Sequence, residues 1–183
     1  YHSRAFLIAF DGLPDTSNAL FTGSGKCAGC HGTDPNGYAN VTESGLDINP
    51  TTQWRSSLMA NSAKDPFWQA KVAHEVAVNP DHQLELEDKC TSCHAPLGHF
   101  NAHYLGEEHY SLAQLFQDSL AMDGVSCVAC HQQSPSVGNS FSGVLAFDSA
   151  MIYGQYGAGK DDEPLLDEPM MEYVGYNIGY GAH

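Results

Sequence analysis

Cys27-Ala28-Gly29-Cys30-His31 is followed later in the chain by Cys90-Thr91-Ser92-Cys93-His94 and Cys127-Val128-Ala129-Cys130-His131, and the three copies use all 6 cysteines. Two thiols three residues apart lie on one turn of helix. There each can form a thioether with one of the two vinyl groups of a haem. The histidine that follows then offers its imidazole to the iron from the proximal side. A single CxxC pair also serves zinc ribbons and thioredoxin-like redox sites. Three Cys2His units, however, do not close into four-ligand zinc sets without remainder. A redox disulfide needs no histidine and expects a βαβ setting that is absent here. The motifs therefore predict covalent c-type haem at Cys27 and Cys30, at Cys90 and Cys93, and at Cys127 and Cys130, with His31, His94 and His131 as proximal ligands.

Sharing 183 residues among three haems leaves little protein for each. The cofactors must then form much of the core. The expected fold is mainly short α-helices with extensive irregular loops and a few short strands, wrapped around three covalent haems, with little regular sheet. A hydrophobic share of 42% and a mean hydropathy of -0.31 suit a soluble chain, and no apolar run approaches the length of a membrane span. The 22 acidic against 7 basic residues, net -15, argue against a nucleic-acid partner, because phosphate would be repelled. The same charge near a haem stabilises ferric iron and lowers its potential. Residues 1–10 are too short for a signal peptide and lack a basic start and a cleavage site. Because c-type haem is attached outside the cytoplasm, the chain is expected to be a mature one with its leader removed. It would be extracellular or at the cell surface, with the periplasm as the alternative.

Along the chain, Phe6, Ile8 and Phe10 alternate as in a short strand. After the first motif, the oxygens of Asp34 and Asn36 suggest a Ca2+ loop in part, although a solvated turn fits better. Residues 51–79 are the best helical region, with Trp54, Leu58 and Met59 at helical spacing. Asp65-Pro66 is a cap followed by Pro at the first helical position, opening a helix to about residue 78. Phe67, Ala70, Lys71, His74 and Val78 share one of its faces. Asp81 is expected to cap a third helix that carries Leu84 and Leu86 into the second motif and stops at Pro96. A histidine-rich loop with His99, His103 and His109 follows. Ser111 caps a helix with Leu112, Leu115, Phe116 and Leu120 on one side, which Asp123-Gly124 breaks, and Ser126 caps the helix of the third motif. Residues 141–147 and 151–156 read as short strands, with a hairpin as the expected pairing. The segment 173–183 alternates Tyr and Gly, too poor in aliphatic residues for its own core, and is expected to lie as an extended arm on haem faces or on a neighbouring molecule.

Each iron that only carries electrons needs a sixth ligand, His or Met. Seven histidines lie outside the motifs (His2, His74, His82, His99, His103, His109 and His183). Seven candidates for three vacancies favour bis-His ligation. The chain resembles the bis-His multihaem c-type cytochromes, including surface and filament-forming members. The resemblance rests on the motifs together with Ser57-Leu58-Met59-Ala60-Asn61-Ser62-Ala63-Lys64-Asp65-Pro66-Phe67-Trp68 and the later His74-Glu75. Cys93-His94-Ala95-Pro96 with the later Ala102-His103, and Asp123-Gly124-Val125-Ser126-Cys127, extend it. It covers roughly residues 25–183 and implies His74, His103 and His183 as distal ligands. His183 matches a Gly-x-His phrase that precedes a further attachment motif in longer relatives.

One tri-haem domain over residues 1–183, with 141–183 as the arm, is expected. With both axial positions filled by protein, no substrate reaches the iron, and the function is electron transport rather than catalysis. One quaternary form is a head-to-tail polymer, an extracellular filament, since a heterologous interface that does not close propagates. The other is a discrete tri-haem carrier. Other redox proteins or extracellular acceptors are the expected partners. A multihaem reductase or oxidase with one open haem, or a domain of a larger cytochrome, are the alternatives.

Overall fold

A computed structural model describes residues 12–134, 144–154 and 176–180. The expected strand at residues 5–10, His2, His183 and most of the terminal arm lie outside these residues. The described chain is mainly helical. Its α-helices are α1 (Ser24–His31), α2 (Pro50–Arg55), α3 (Pro66–Val78), α4 (Gln83–His94), α5 (Pro96–Tyr104), α6 (Leu112–Leu115) and α7 (Cys127–His131). Short 3-10 turns occupy Pro80–His82 and Ala121–Asp123. Two four-residue strands, β1 (Met151–Gly154) and β2 (Asn177–Tyr180), form a parallel pair with Met151 opposite Asn177. Among the described residues no helix is long and apolar enough to cross a membrane.

Local chemistry accounts for the helix starts. The Asp65 carboxylate accepts the Phe67 amide at 2.9 Å, with Pro66 as the first helical residue of α3. Asn49 caps α2 in the same way, accepting the Thr52 amide at 2.7 Å. Ser111 and Gln114 form a reciprocal capping box at α6. Gly124, at φ 67°, ends the Ala121–Asp123 turn in a conformation that strains any residue with a Cβ.

Several expectations are corrected. Pro96 stops α4 but also opens α5, because a proline at the first helical position lacks only an amide that has no helical partner. His99 and His103 are thus helical rather than in a loop. The third helix begins after His82, with the Asp81 position inside the preceding 3-10 turn. Phe116 lies beyond the four-residue α6 and is exposed. Ser126 stands at the start of α7, but its hydroxyl donates to Asp123 rather than accepting a helix amide. β1 pairs with β2, not with the segment ending at Phe147, which instead bridges Gln133. The Phe67–His74–Val78 face of α3 points outward, with Phe67 85% exposed, while Trp68 and Val72 are buried.

The core is small and rich in alanine. Ala63, Ala95, Ala102 and Ala121 pack around Trp68, Val72 and Leu115 in one cluster, and Leu20, Phe21, Leu97 and Val128 form the other. Phe147 sits between Phe21 and Phe100, with ring centroids 4.9 Å from each. Gly98 faces the Tyr110 hydroxyl so closely that an added Cβ would stand 2.3 Å from it. Large apolar side chains such as Leu58, 90% exposed, and Phe67 remain on the surface. A chain with this little aliphatic core and this much exposed apolar surface is short of burial for its length.

The two halves meet at Asp123. Its buried carboxylate accepts the Ser24 amide at 2.9 Å, the Ser24 hydroxyl at 2.8 Å and the Ser126 hydroxyl at 2.6 Å. Replacing Asp123 by Ala leaves these buried donors without an acceptor, and should lower stability by about 3 kcal/mol. Denaturant unfolding of the purified protein measures it, and a loss within about 0.5 kcal/mol of zero would show that the carboxylate is not the tie.

Candidate haem-attachment sites

In each motif the two cysteines fall on one helical turn. Cys27 and Cys30 lie in α1, Cys90 and Cys93 in the last turn of α4, and Cys127 and Cys130 in α7. The first cysteine of each pair is half-buried and the second exposed. The third motif opens its helix, whereas the second closes one. Burial pushes the thiols of Cys90 and Cys130 above the ordinary range. The Cys127 thiol is pushed up furthest, first by its hydrogen bond with the Cys27 thiol and then by burial. That bond places the first cysteines of the first and third motifs side by side.

The motif histidines are held by their ring nitrogens. His94 Nδ1 lies 3.2 Å from the Ser62 carbonyl oxygen, and its ring stacks on Trp68 with centroids 4.5 Å apart and 8° between planes. The Ser62 hydroxyl donates to the His94 carbonyl at 2.8 Å. His131 Nδ1 lies 2.9 Å from the Tyr153 carbonyl oxygen. A carbonyl oxygen can only accept, so in both rings Nδ1 carries a proton. This is the tautomer an iron-binding imidazole needs, fixed by a partner on its far nitrogen. For His31 the fixed group is the backbone, whose carbonyl accepts the Thr51 hydroxyl at 2.9 Å.

Beyond the motifs, His74 is exposed on the outward, partly apolar face of α3. His103 is committed elsewhere, with its Nε2 2.9 Å from Asp88 Oδ1. Asp34 spends its carboxylate on the amides of Asn36, Tyr38 and Ala39, which hold it below the usual carboxylate range. This is turn chemistry. The partners Ser62, Trp68 and Tyr153 carried no sequence signal of a role at the motifs, because two of them act through backbone oxygens that any residue possesses. Trp68 stood within a quoted phrase, but stacking on His94 requires α3 and α4 to be packed first.

The residues fit covalent haem: paired thiols on one helical turn and a following imidazole, oriented in His94 and His131 by a carbonyl oxygen on Nδ1. The family model for cytochrome c554 and c-prime matches residues 26–132, more than half the chain, from the first motif through the third. The chain belongs to the cytochrome c554 and c-prime family. No curated protein and no solved structure matches it. As a c-type cytochrome it binds haem iron covalently and transfers electrons.

Replacing both Cys90 and Cys93 by Ala should remove one haem from the mass of the denatured cytochrome, because thioether-linked haem survives denaturation. An unchanged mass increment would exclude the second motif as an attachment site.

Proposed function

We propose that this cytochrome transfers electrons outside the cytoplasm through three covalent haems attached at its three motifs. His31, His94 and His131 serve as proximal ligands. The observation that carries the reading is the hydrogen bond from Nδ1 of His94 and of His131 to a backbone carbonyl, which orients each ring and directs iron ligation to Nε2. Each bound haem supplies an iron that takes up and releases one electron. The chain's part is to hold the imidazoles, cover the haem edges and bring attachment points together. The adjoining thiols of Cys27 and Cys127 favour a close pairing of the first and third haems, so the electron path need not follow sequence order.

His74 is the distal ligand this reading supports best. It is accessible, and apolar side chains on its own helix face are positioned to cover a haem. The resemblance adds His183 and His103. For His103, ligation requires giving up the bond to Asp88. Bis-His ligation leaves no open iron, which favours a carrier over a reductase or oxidase.

The extracellular filament is supported by the Tyr/Gly arm, by the small protein share per haem and by the uncovered apolar surface, with His183 donated to an iron of the same chain or the next. A discrete carrier is favoured by one observation. The arm residues Asn177–Tyr180 pair with β1 of their own chain, beside the carbonyl that holds His131. Tyr176, just before β2, has its phenol pushed up first by burial, so the start of this pairing segment is packed against the chain.

His74→Ala should convert one low-spin haem to high-spin, read by electron paramagnetic resonance of the oxidised protein. Three low-spin irons in that variant would remove His74 from the ligand set. Electron microscopy of the native cytochrome and of His183→Ala tests assembly. Filaments lost on substitution support the polymer, and particles of single-chain mass in the native sample support the discrete carrier.

A further inference from the structure

A second cluster of metal-binding side chains flanks the second motif, with Asp88 two residues before Cys90 and His99 and His103 after His94. Asp88 projects from α4, and His99 and His103, four residues apart, occupy one face of α5. We propose that Asp88, His99 and His103 form a mononuclear site for a divalent transition-metal cation of the zinc class, distinct from the haem irons. The inference assigns His103 to this cation and not to a haem iron.

The donor spacing is that of ligands around one ion. Asp88 Oδ1 lies 3.3 Å from His99 Nδ1 and 2.9 Å from His103 Nε2, and one donor atom from each of the three residues falls within 4.8 Å of the others. Donors at about 2.0–2.1 Å from a tetrahedral zinc ion stand about 3.3 Å apart. The ion needs little movement to seat. The proton that an imidazole now gives to Asp88 shifts to the other nitrogen of the same ring. The cation is then met by two neutral imidazoles and one carboxylate, with water completing the set.

The surroundings support the site. His99 is buried at 6% exposure. Asp88 is aimed by the Tyr110 amide, which donates to Oδ1 at 2.8 Å. The buried Thr91 hydroxyl lies 3.4 Å from His99 Nδ1. The His103 side chain is 34% exposed, which gives the cation and its water a way in from solvent. The net charge of -15 concentrates cations around the chain. A bound ion would clasp α4 to α5 next to Cys90, steadying the helix that carries the second motif.

The test uses haem-loaded cytochrome, with elemental analysis after zinc loading and calorimetric titration with zinc. The wild type is expected to hold one zinc ion beyond the haem iron. Asp88→Asn keeps an acceptor for the Tyr110 amide, and His103→Ala alters a half-exposed position, so both should fold. Each should weaken zinc binding at least 10-fold while the haem spin state stays unchanged. Absence of a zinc ion in the wild type, or zinc binding unaffected by both substitutions, overturns the site. So does a haem turned high-spin by His103→Ala, because His103 then closes a haem iron.

Discussion

A single buried carboxylate holds the arrangement of motifs together. Asp123 satisfies the first amide of α1, which has no acceptor within its own helix, and the hydroxyl of the residue at the start of α7. It therefore ties the first residue of α1 to the residue before α7 and brings Cys27 towards Cys127. A buried carboxylate is tolerated only when donors surround it, and here Ser24 and Ser126 provide them. Motifs separated by almost the whole matched segment are thereby brought to one place in a chain with a meagre aliphatic core.

The same economy recurs at the histidines. The protein spends backbone carbonyls, from Ser62 and Tyr153, to fix the tautomers of His94 and His131. Backbone acceptors are positioned by the fold and do not titrate. The imidazole state is thus set by packing of α3 against α4 and of β1 against α7 rather than by a neighbouring charge. The small parallel ladder has a role here out of proportion to its length, since β2 fixes the strand whose carbonyl faces His131.

What was legible in the sequence was local. The motifs, the Asp65-Pro66 start of α3 and the Ser111 cap depend on residues within one or two turns, and each stands where its chemistry places it, whereas the helix after Ser111 ends at Leu115, well before the expected break at Asp123-Gly124. Non-local features were not legible. Pro96 carries the same signal as a stop and as a first helical residue, so the helix bearing His99 and His103 was read as a loop. Apolar side chains occur on both faces of α3, and only packing against α4 selects Trp68 and Val72 for burial. The pairing of β1 with a segment more than 20 residues away has no turn signature at all. Asp88 joins His99 and His103 only because α5 folds back along α4, a relation that spacing alone does not reveal.

The Asp123 tie also imposes an order in time. A chain emerges from its N-terminus, and contacts distant in sequence form after local ones. The first motif lies on a helix whose terminal amide waits for a residue 99 positions further on. Until that residue has emerged, α1 is a short helix without its acceptor, and helices of this length are marginal in isolation. Cys27 and Cys30 therefore remain in an open, pliant segment until Asp123 has emerged, whereas Cys127 and Cys130 emerge after it. Identical motifs thus meet the attachment step in opposite conditions, the first before its surroundings exist and the third as they close.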